Sequence, residues 1–445
     1  MSLKQAAKLL ECVAPQNPGS FTGITTDSRK VAPGMLFAAL PGRTFDGHDH
    51  VDQALESGAA AALVCKDLQA GLPTLKVTDV LKALGTLAAY WRTQCPARVV
   101  GITGSNGKTT VKEMIASILQ LTGDVLATEG NFNNELGLPL TLFQMDEGDE
   151  YAVLEMGASK PGDIAYLARI ARPDVGVITN IGPAHLQGFL NIEGVAAEKG
   201  ELYAALSNGG AAVINAAEPW LDIWQQVNNA DTTYYFNGEN SHVRATRNDA
   251  EVLVDTPVGN FPLRLPLPGE HNLANALAAT AVCIALGVPL ADIKRGLEAV
   301  KPVPGRLSIV PTKGGWTVID DTYNANPASL YAALQVLAGQ GGEPWLVIGD
   351  MLELGADSRK MHAEVGDAAR SLGVKRLFAV GEATQATVDT FGEMAVHFDS
   401  REALTRALHE QLKPGVACLV KGSRSMGMEQ VVHAIVNGQA LQEAT

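Results

Sequence analysis

The segment Ala97 to Leu119, ARVVGITGSNGKTTVKEMIASIL, passes from a β-branched run through a glycine-rich turn into a helical pattern, and this order commits the chain to an α/β fold. Val99, Val100 and Ile102 read as a buried parallel strand. Val111, Met114, Ile115, Ile118 and Leu119 recur at helical spacing. Between them, Gly104 and Gly107 permit a sharp turn that brings backbone N–H groups to phosphate oxygens, and the helix adds its free N-terminal amides. Ser105, Asn106 and Thr110 complete the loop. Lys108 is placed to neutralise β- and γ-phosphates, and Thr109 to set a hydroxyl on Mg²⁺. The pattern G-x-x-x-x-G-K-[ST] asks for Gly at 102, where this chain has Ile. A purely structural turn is the alternative. Strand, GKT and helix nevertheless occur together in the required order, so the loop reads as a nucleoside triphosphate site.

A chain of 445 residues, 46% of them hydrophobic, has room for two or three domains with separate cores. Its formal net charge of −14 argues against a nucleic-acid binder, so anionic ligands must be held by loops and individual Arg or Lys side chains. The five cysteines, Cys12, Cys65, Cys95, Cys283 and Cys418, are scattered and form no CxxC pair. That usage suits a reducing cytoplasm and neither a zinc site nor a disulfide framework. Lys4, Lys8 and Glu11 interrupt the apolar residues at the N-terminus, so no signal peptide is expected, and no run is long enough to insert in a membrane.

Short strands at Met35–Leu40, Ala60–Val64 and Thr74–Val77, with a helix near Val51–Ser57, indicate a small N-terminal α/β domain over residues 1–79. A helix at Val80–Thr93 leads into the phosphate-loop strand. Strands at Tyr151–Glu155, Val175–Asn180 and Ala211–Asn215 then alternate with helices, the signature of a mostly parallel sheet in a central domain over residues 80–300. Residues Thr232–Leu267 read as a β-rich excursion, followed by helices at Asn272–Leu286 and Ala291–Ala299. The segment Lys301–Arg306, KPVPGR, reads as a hinge. Strands at Trp316–Asp321, Trp345–Asp350, Arg376–Gly381 and Ala417–Gly422 then predict a third, Rossmann-like doubly wound domain over residues 301–445.

Polar residues cluster where these strands end, the edge at which open α/β sheets bind ligands. Glu155 closes its strand and is placed either as a Mg²⁺ ligand or as a capping side chain. His185 follows the strand ending at Asn180, and a lone His there is more often structural than a ligand. Lys199 is not singled out by spacing. His271, Asn272 and Asn275 sit on the opening turn of an Ala-rich helix, suited to a purine edge or to N-capping. Asp320, Asp321, Tyr323, Asn324 and Asn326 lie on one strand-to-helix loop, and Lys421, Arg424 and Ser425 on another. Both loops suit a carboxylate or phosphate, and both are also ordinary turn chemistry.

TGSNGKTT, LEMGAS, the His185 turn, AEKGEL, GEHNLANALAA, VPGR and the DTYNAN loop together resemble the Mur ligases, ATP-dependent amide-bond formers of peptidoglycan synthesis, over essentially the whole chain. GNFNNELGLPLTL, DTYNANPASL, GDMLELG and KGSRSMGMEQVV resemble the branch that adds a dipeptide. The DNPR motif of the branch adding the third amino acid is absent. The N-terminal TTDSRKVAPGMLFAALPGRTFDGHDHV resembles the sugar-nucleotide-binding segment that both branches share.

The resemblance implies ligation of D-alanyl-D-alanine to UDP-N-acetylmuramoyl-tripeptide by a cytoplasmic monomer, through an acyl phosphate and with loss of phosphate. It implies that Thr109, Glu155, His185 and a carbamylated Lys199 serve Mg²⁺, with Lys108 acting on the ATP phosphates. It places ATP near His271, Asn272, Asn275, Arg306 and Asp321. The uridine diphosphate falls near Ser28, Arg29 and Thr44, and the muramoyl peptide near Asn133 and Asn134. The dipeptide falls near Tyr323, Asn324, Asn326, Arg424 and Ser425. A folylpolyglutamate synthase shares the central-domain logic but not the sugar-nucleotide pattern. A GTPase-type switch would need an NKxD motif, which the chain lacks, and a non-catalytic nucleotide-binding module would not need Lys108, Thr109 and Glu155 together.

Overall fold

The computed structural model describes residues 1–16, 18–68, 73–183, 186–206, 209–248 and 251–437. Its N-terminal sheet has the order β1 (Ile24–Thr25), β2 (Leu36–Ala38), β3 (Ala61–Val64), β4 (Thr74–Lys76), all parallel. Helix α1 (Leu3–Leu9), which the sequence reading did not anticipate, and α2 (Val51–Glu56) cover it. Helix α3 (Val80–Arg92) starts where the Asp79 side chain accepts the Lys82 N–H. Its Val80, Leu84 and Leu87 enter the N-terminal core, while Ala88 enters the next one, so a single helix packs into two cores.

The central sheet is six-stranded and parallel. Its strands are β5 (Arg98–Thr103), β6 (Val125–Ala127), β7 (Tyr151–Glu155), β8 (Val175–Ile178), β9 (Ala211–Asn215) and β10 (Thr232–Phe236), in the spatial order β10-β9-β8-β5-β7-β6. Along β5, Val99 faces one core and Val100 and Ile102 the other, as strand alternation requires. Helices α4 (Lys108–Leu119), α10 (Glu270–Ala285) and α11 (Leu290–Ala299) cover one face. Helices α5 (Gly137–Leu142), α6 (Asp163–Ala171) and α8 (Ile192–Ala204) cover the other, with the short α7 (Leu186–Phe189) and α9 (Leu221–Val227) beside them.

The stretch 232–267 reads in sequence as a single β-rich excursion, and the structure divides it. β10 extends the central sheet in parallel with β9, and only β11 (Arg244–Asn248), β12 (Glu251–Thr256) and β13 (Gly259–Leu263) form a separate antiparallel sheet. Alternation marks a strand but does not name its partner; burial of Phe236 in the central core is what recruits β10.

Helices α4 and α11 cross tightly at Gly296, where an added Cβ would stand 2.5 Å from the Ile118 Cα and Ser117 Oγ already donates to the Gly296 carbonyl at 2.8 Å. Gly296→Ala should therefore destabilise the protein by about 1–3 kcal/mol despite the better helix former. Urea unfolding followed by circular dichroism checks this; an unchanged midpoint would show that the crossing can open at no cost.

The C-terminal sheet contains β14 (Ser308–Pro311), β15 (Thr317–Asp321), β16 (Glu343–Gly349), β17 (Arg376–Val380), β18 (Ala395–Phe398) and β19 (Val416–Lys421). Its order is β14-β15-β19-β16-β17-β18, with β14 antiparallel and the rest parallel. Helices α12 (Pro327–Gly339), α13 (Ser358–Ser371), α14 (Gln385–Phe391), α15 (Arg401–Gln411) and α16 (Glu429–Asn437) flank it. The chain runs outward from β16 to β18 and returns with β19 between β15 and β16. That reversal leaves a crevice beyond the ends of β15, β16 and β19. Edge strands β14 and β18 were not foreseen, because each is four residues long and only partly buried.

Candidate active site

Strand β5 lies between β7 and β8, and the chain departs from it in opposite directions, so the loop after β5 opens at the switch point of the sheet. Gly104 takes φ +147°, and a Cβ there would stand 1.9 Å from Thr179 Oγ1. Gly107 takes φ +78°, with Asn275 Oδ1 2.5 Å from the same kind of added atom. Both glycines are therefore fixed by backbone conformation and by close neighbours. Ile102 is a fully buried strand residue one step before the turn, so the first glycine of the longer motif has no position to fill. Gly107 is the N-cap of helix α4 and offers no side chain to its amides, which leaves them for an anion. From the end of β8, Thr179 Oγ1 donates to the Asn106 carbonyl at 2.6 Å. Asn180 accepts the Asn106 N–H at 2.9 Å and donates back to its carbonyl at 3.0 Å.

Charge gathers around this loop. Lys108 Nζ bridges the turn to the Gly104 carbonyl at 2.8 Å. Burial holds its pKa below the usual lysine value, against the Glu155 charge and with the help of Arg306. Thr109 Oγ1 donates to Glu155 Oε2 at 2.7 Å, and Asn133 Nδ2 donates to Glu155 Oε1 at 2.9 Å. Arg306, in the segment between α11 and β14, reaches across to donate to Thr109 Oγ1 at 2.8 Å. Its guanidinium stacks 4.1 Å from the centre of the Tyr323 ring, and its Nε is buried with no partner among the described residues. Lys199 is almost fully buried on α8, and burial, with Lys108 adding repulsion, lowers its pKa to about 7. Burial also pushes the His271 pKa below the usual imidazole range, although Asp321 opposes the shift.

A cavity of about 720 Å³ runs from the phosphate loop to the C-terminal crevice. Of the residues expected from sequence, it brings together Gly104 to Thr110, Asn133, Asn134, Glu155, Lys199, His271, Asn272, Asn275, Arg306, Asp321, Tyr323, Asn324 and Asn326. Asn326 also donates to Asn106 Oδ1 at 2.7 Å, so the C-terminal domain touches the phosphate loop directly.

Three segments match family models: residues 20–92 the Mur ligase family catalytic domain, 102–283 the Mur ligase middle domain, and 305–424 the Mur ligase glutamate ligase domain. The chain belongs to the Mur ligase family. An Escherichia coli K12 relative named UDP-N-acetylmuramoyl-tripeptide–D-alanyl-D-alanine ligase is 44% identical over 422 residues, covering 93% of each chain. A crystal structure of MurF from Acinetobacter baumannii superposes with a TM-score of 0.90 at 35% identity over 98% of each chain. The MurF ligase of Thermotoga maritima in complex with ADP gives 0.84 at 30% identity, over 93% of this chain and 97% of that one.

Other expected Mur ligase residues lie apart from the cavity. Ser28, Arg29 and Thr44 stand in the N-terminal domain, where Ser28 is buried, Thr44 is exposed, and Arg29 pairs with Asp27 at 2.9 Å. Arg424 and Ser425 do not line it either, although Arg424 lies 5.6 Å from the centre of the Tyr323 ring that does. His185 lies outside the described residues. Asp321 lines the cavity yet has structural work as well: its oxygens accept from the Leu307 N–H and the Lys421 ammonium, and Lys421 also donates to the Asn324 carbonyl at 2.9 Å.

Sequence reasoning left Glu198 and Lys421 uncommitted. The Glu198 carboxylate accepts the Gly162 and Ile164 N–H groups at 2.8 and 2.7 Å, capping α6 and holding α8 against it one residue before Lys199. The available signal was an acid directly beside a candidate lysine on a helix with little amphipathic contrast.

Proposed function

We propose that this Mur ligase joins D-alanyl-D-alanine to UDP-N-acetylmuramoyl-tripeptide at the expense of ATP, releasing ADP and phosphate. The observation that carries the reading is one cavity in which the phosphate loop, Glu155 and Lys199 of the middle domain meet Tyr323, Asn324 and Asn326 of the C-terminal domain. The names of the relatives with 93% mutual coverage support the same donor and acceptor. We assign residues 1–79 to the uridine diphosphate end of the donor, with Ser28, Arg29 and Thr44 as its contacts. Residues 80–300 take ATP and the peptide, and 301–445 the incoming dipeptide.

Thr109 and Glu155 fit a Mg²⁺ ion, since a hydroxyl and a carboxylate converge 2.7 Å apart, almost fully buried, at the mouth of the phosphate loop. Lys199 as a carbamate and His185 complete the proposed ligand set. Bound Mg²⁺ would supply charge neutralisation for the transferred phosphoryl group. The side chains do the rest. Lys108 and Arg306 set two cations on the phosphoryl end, and the Arg306 Nε, which has no partner among the described residues, is a donor kept for an anion. His271, Asn272 and Asn275 face the nucleotide, and Asn133 and Asn134 orient the peptide carboxylate toward it.

Activation of that carboxylate as an acyl phosphate lets the dipeptide amine displace phosphate. Tyr323, Asn324 and Asn326, with Arg424 and Ser425 nearby, present that amine. Water would destroy the acyl phosphate, and the contacts of Arg306 and Asn326 across the cleft help to exclude it. With all three substrates assigned to residues of one chain, the enzyme is proposed to act as a monomer. Unpaired cysteines support the cytoplasm as its compartment. Among the described residues no helix is long and apolar enough to cross a membrane.

Phosphate release should require ATP, UDP-N-acetylmuramoyl-tripeptide and D-alanyl-D-alanine together, and single amino acids, glutamate included, should not replace the dipeptide. A coupled phosphate assay across that acceptor panel tests this. Full-rate release without the dipeptide would overturn the reading.

A further inference from the structure

Helix α4 carries, one turn beyond Thr109, a lysine that the reaction described above does not use. Lys112 is only 4% exposed, and its Nζ donates to the Thr128 carbonyl at 2.5 Å and lies 2.8 Å from Glu113 Oε1. A lysine seeking Glu113 alone would have no reason to be buried, because that carboxylate is 41% exposed and a surface pair of this kind contributes little. The buried contact is the one with Thr128, and it meets the rule that an interior ammonium must be hydrogen-bonded.

Thr128 follows β6 and is itself buried. Its N–H donates to the Val153 carbonyl at 3.0 Å, and its Oγ1 accepts the Glu155 N–H at 3.0 Å, so the side chain adds one more rung to the pairing of β6 with β7. The Glu155 carboxylate is then divided between Thr109 on Oε2 and Asn133 on Oε1, and the Gly157 N–H ties back to the Asn133 carbonyl at 2.7 Å. Thr109 and Lys112 stand three residues apart on one helix and grip the two ends of the Thr128–Glu155 unit. The four residues close a ring.

We infer that Lys112, acting through Thr128, is a positioning residue that sets the Glu155 carboxylate against Thr109 and ties this divalent-cation site to the Asn133 segment on the peptide side. The inference rests on the reading of Thr109 and Glu155 as Mg²⁺ holders. Lys112 does not line the cavity. It fixes the carbonyl from which the 129–136 segment departs, and the Thr128 hydroxyl fixes the backbone from which Glu155 projects. Partners of a metal ligand that hold its orientation typically govern affinity by 10–100-fold.

The test uses the full-length protein and reads ADP binding by titration calorimetry over a series of Mg²⁺ concentrations and in EDTA, with thermal unfolding in parallel. Thr128→Val keeps the shape and removes the hydroxyl; it should raise the Mg²⁺ concentration for half-maximal ADP binding by on the order of tenfold, while binding in EDTA stays within about twofold. Thr128→Ser should restore the wild-type value. Lys112→Met should shift Mg²⁺ dependence in the same direction and raise the KM for the muramoyl-peptide donor. Should Lys112→Met not fold, the Thr128 pair carries the test. Unchanged Mg²⁺ dependence in folded Thr128→Val, or a loss that Thr128→Ser does not reverse, overturns the inference. Wild-type protein that binds ADP without regard to Mg²⁺ overturns instead the underlying reading of Thr109 and Glu155.

Discussion

Replacing Lys199 with Ala is expected to lower ligation by roughly 10²–10³-fold, the range seen when a preorganised charged group is removed from a reacting centre. The variant should regain part of its turnover when a short-chain carboxylate is supplied, because the missing group is then an anion and not an ammonium. The protein itself makes that conversion feasible. Burial lowers the Lys199 pKa to about 7, so near neutrality roughly half of the side chain is the free amine that CO₂ can carbamylate. The sign of the pH dependence follows. With an ordinary value of 10.5, the unfolded chain holds more protons than the folded one between about pH 7 and 10.5, so this lysine makes the fold more stable as pH rises through that window. Acidification below 7 forces a buried charge and removes the nucleophilic amine. Steady-state phosphate release with and without added formate, together with an intact-mass measurement for the carbamate, checks the expectation; an unimpaired Lys199→Ala would refute it.

Arg306→Ala should lower kcat by roughly 10²-fold with little change in thermal midpoint, since the side chain crosses between domains and its Nε has no partner among the described residues. Arg306→Lys should recover only a part. A lysine keeps the charge but loses both the planar stack on Tyr323 and the fork that reaches Thr109 while leaving Nε free. Single-turnover phosphate release under saturating ATP separates this effect from nucleotide affinity. Full recovery by lysine would reduce the role of Arg306 to simple charge.

The phosphate loop was legible because its strand, glycines and helix are contiguous, and local chemistry alone dictates them. Lys199, Asn133 and Asn134 became visible only through the family resemblance, since each is an ordinary helix or loop residue by pattern. The contacts of Lys421, Glu198 and Thr128 were not legible for a further reason. Their partners lie 100, 34 or more, and 27 residues away, at distances where periodicity carries no information. The same limit explains β10, whose aromatic run announces a strand while its neighbour is chosen by the core. Ser28, Arg29 and Thr44 show the converse: their motif is readable, but the space they would line belongs to a different sheet from the reacting centre.

Asn106 is held from two sides, by Asn180 on its own sheet and by Asn326 from the C-terminal domain. A phosphate-loop residue is thus also a docking point for the domain to which we assign a different substrate. Reciprocity then applies without any relay of moving parts: if nucleotide favours the docked arrangement by some factor, docking must tighten nucleotide by that same factor. The dipeptide, by engaging residues 323–326, would report its arrival to ATP through a single amide.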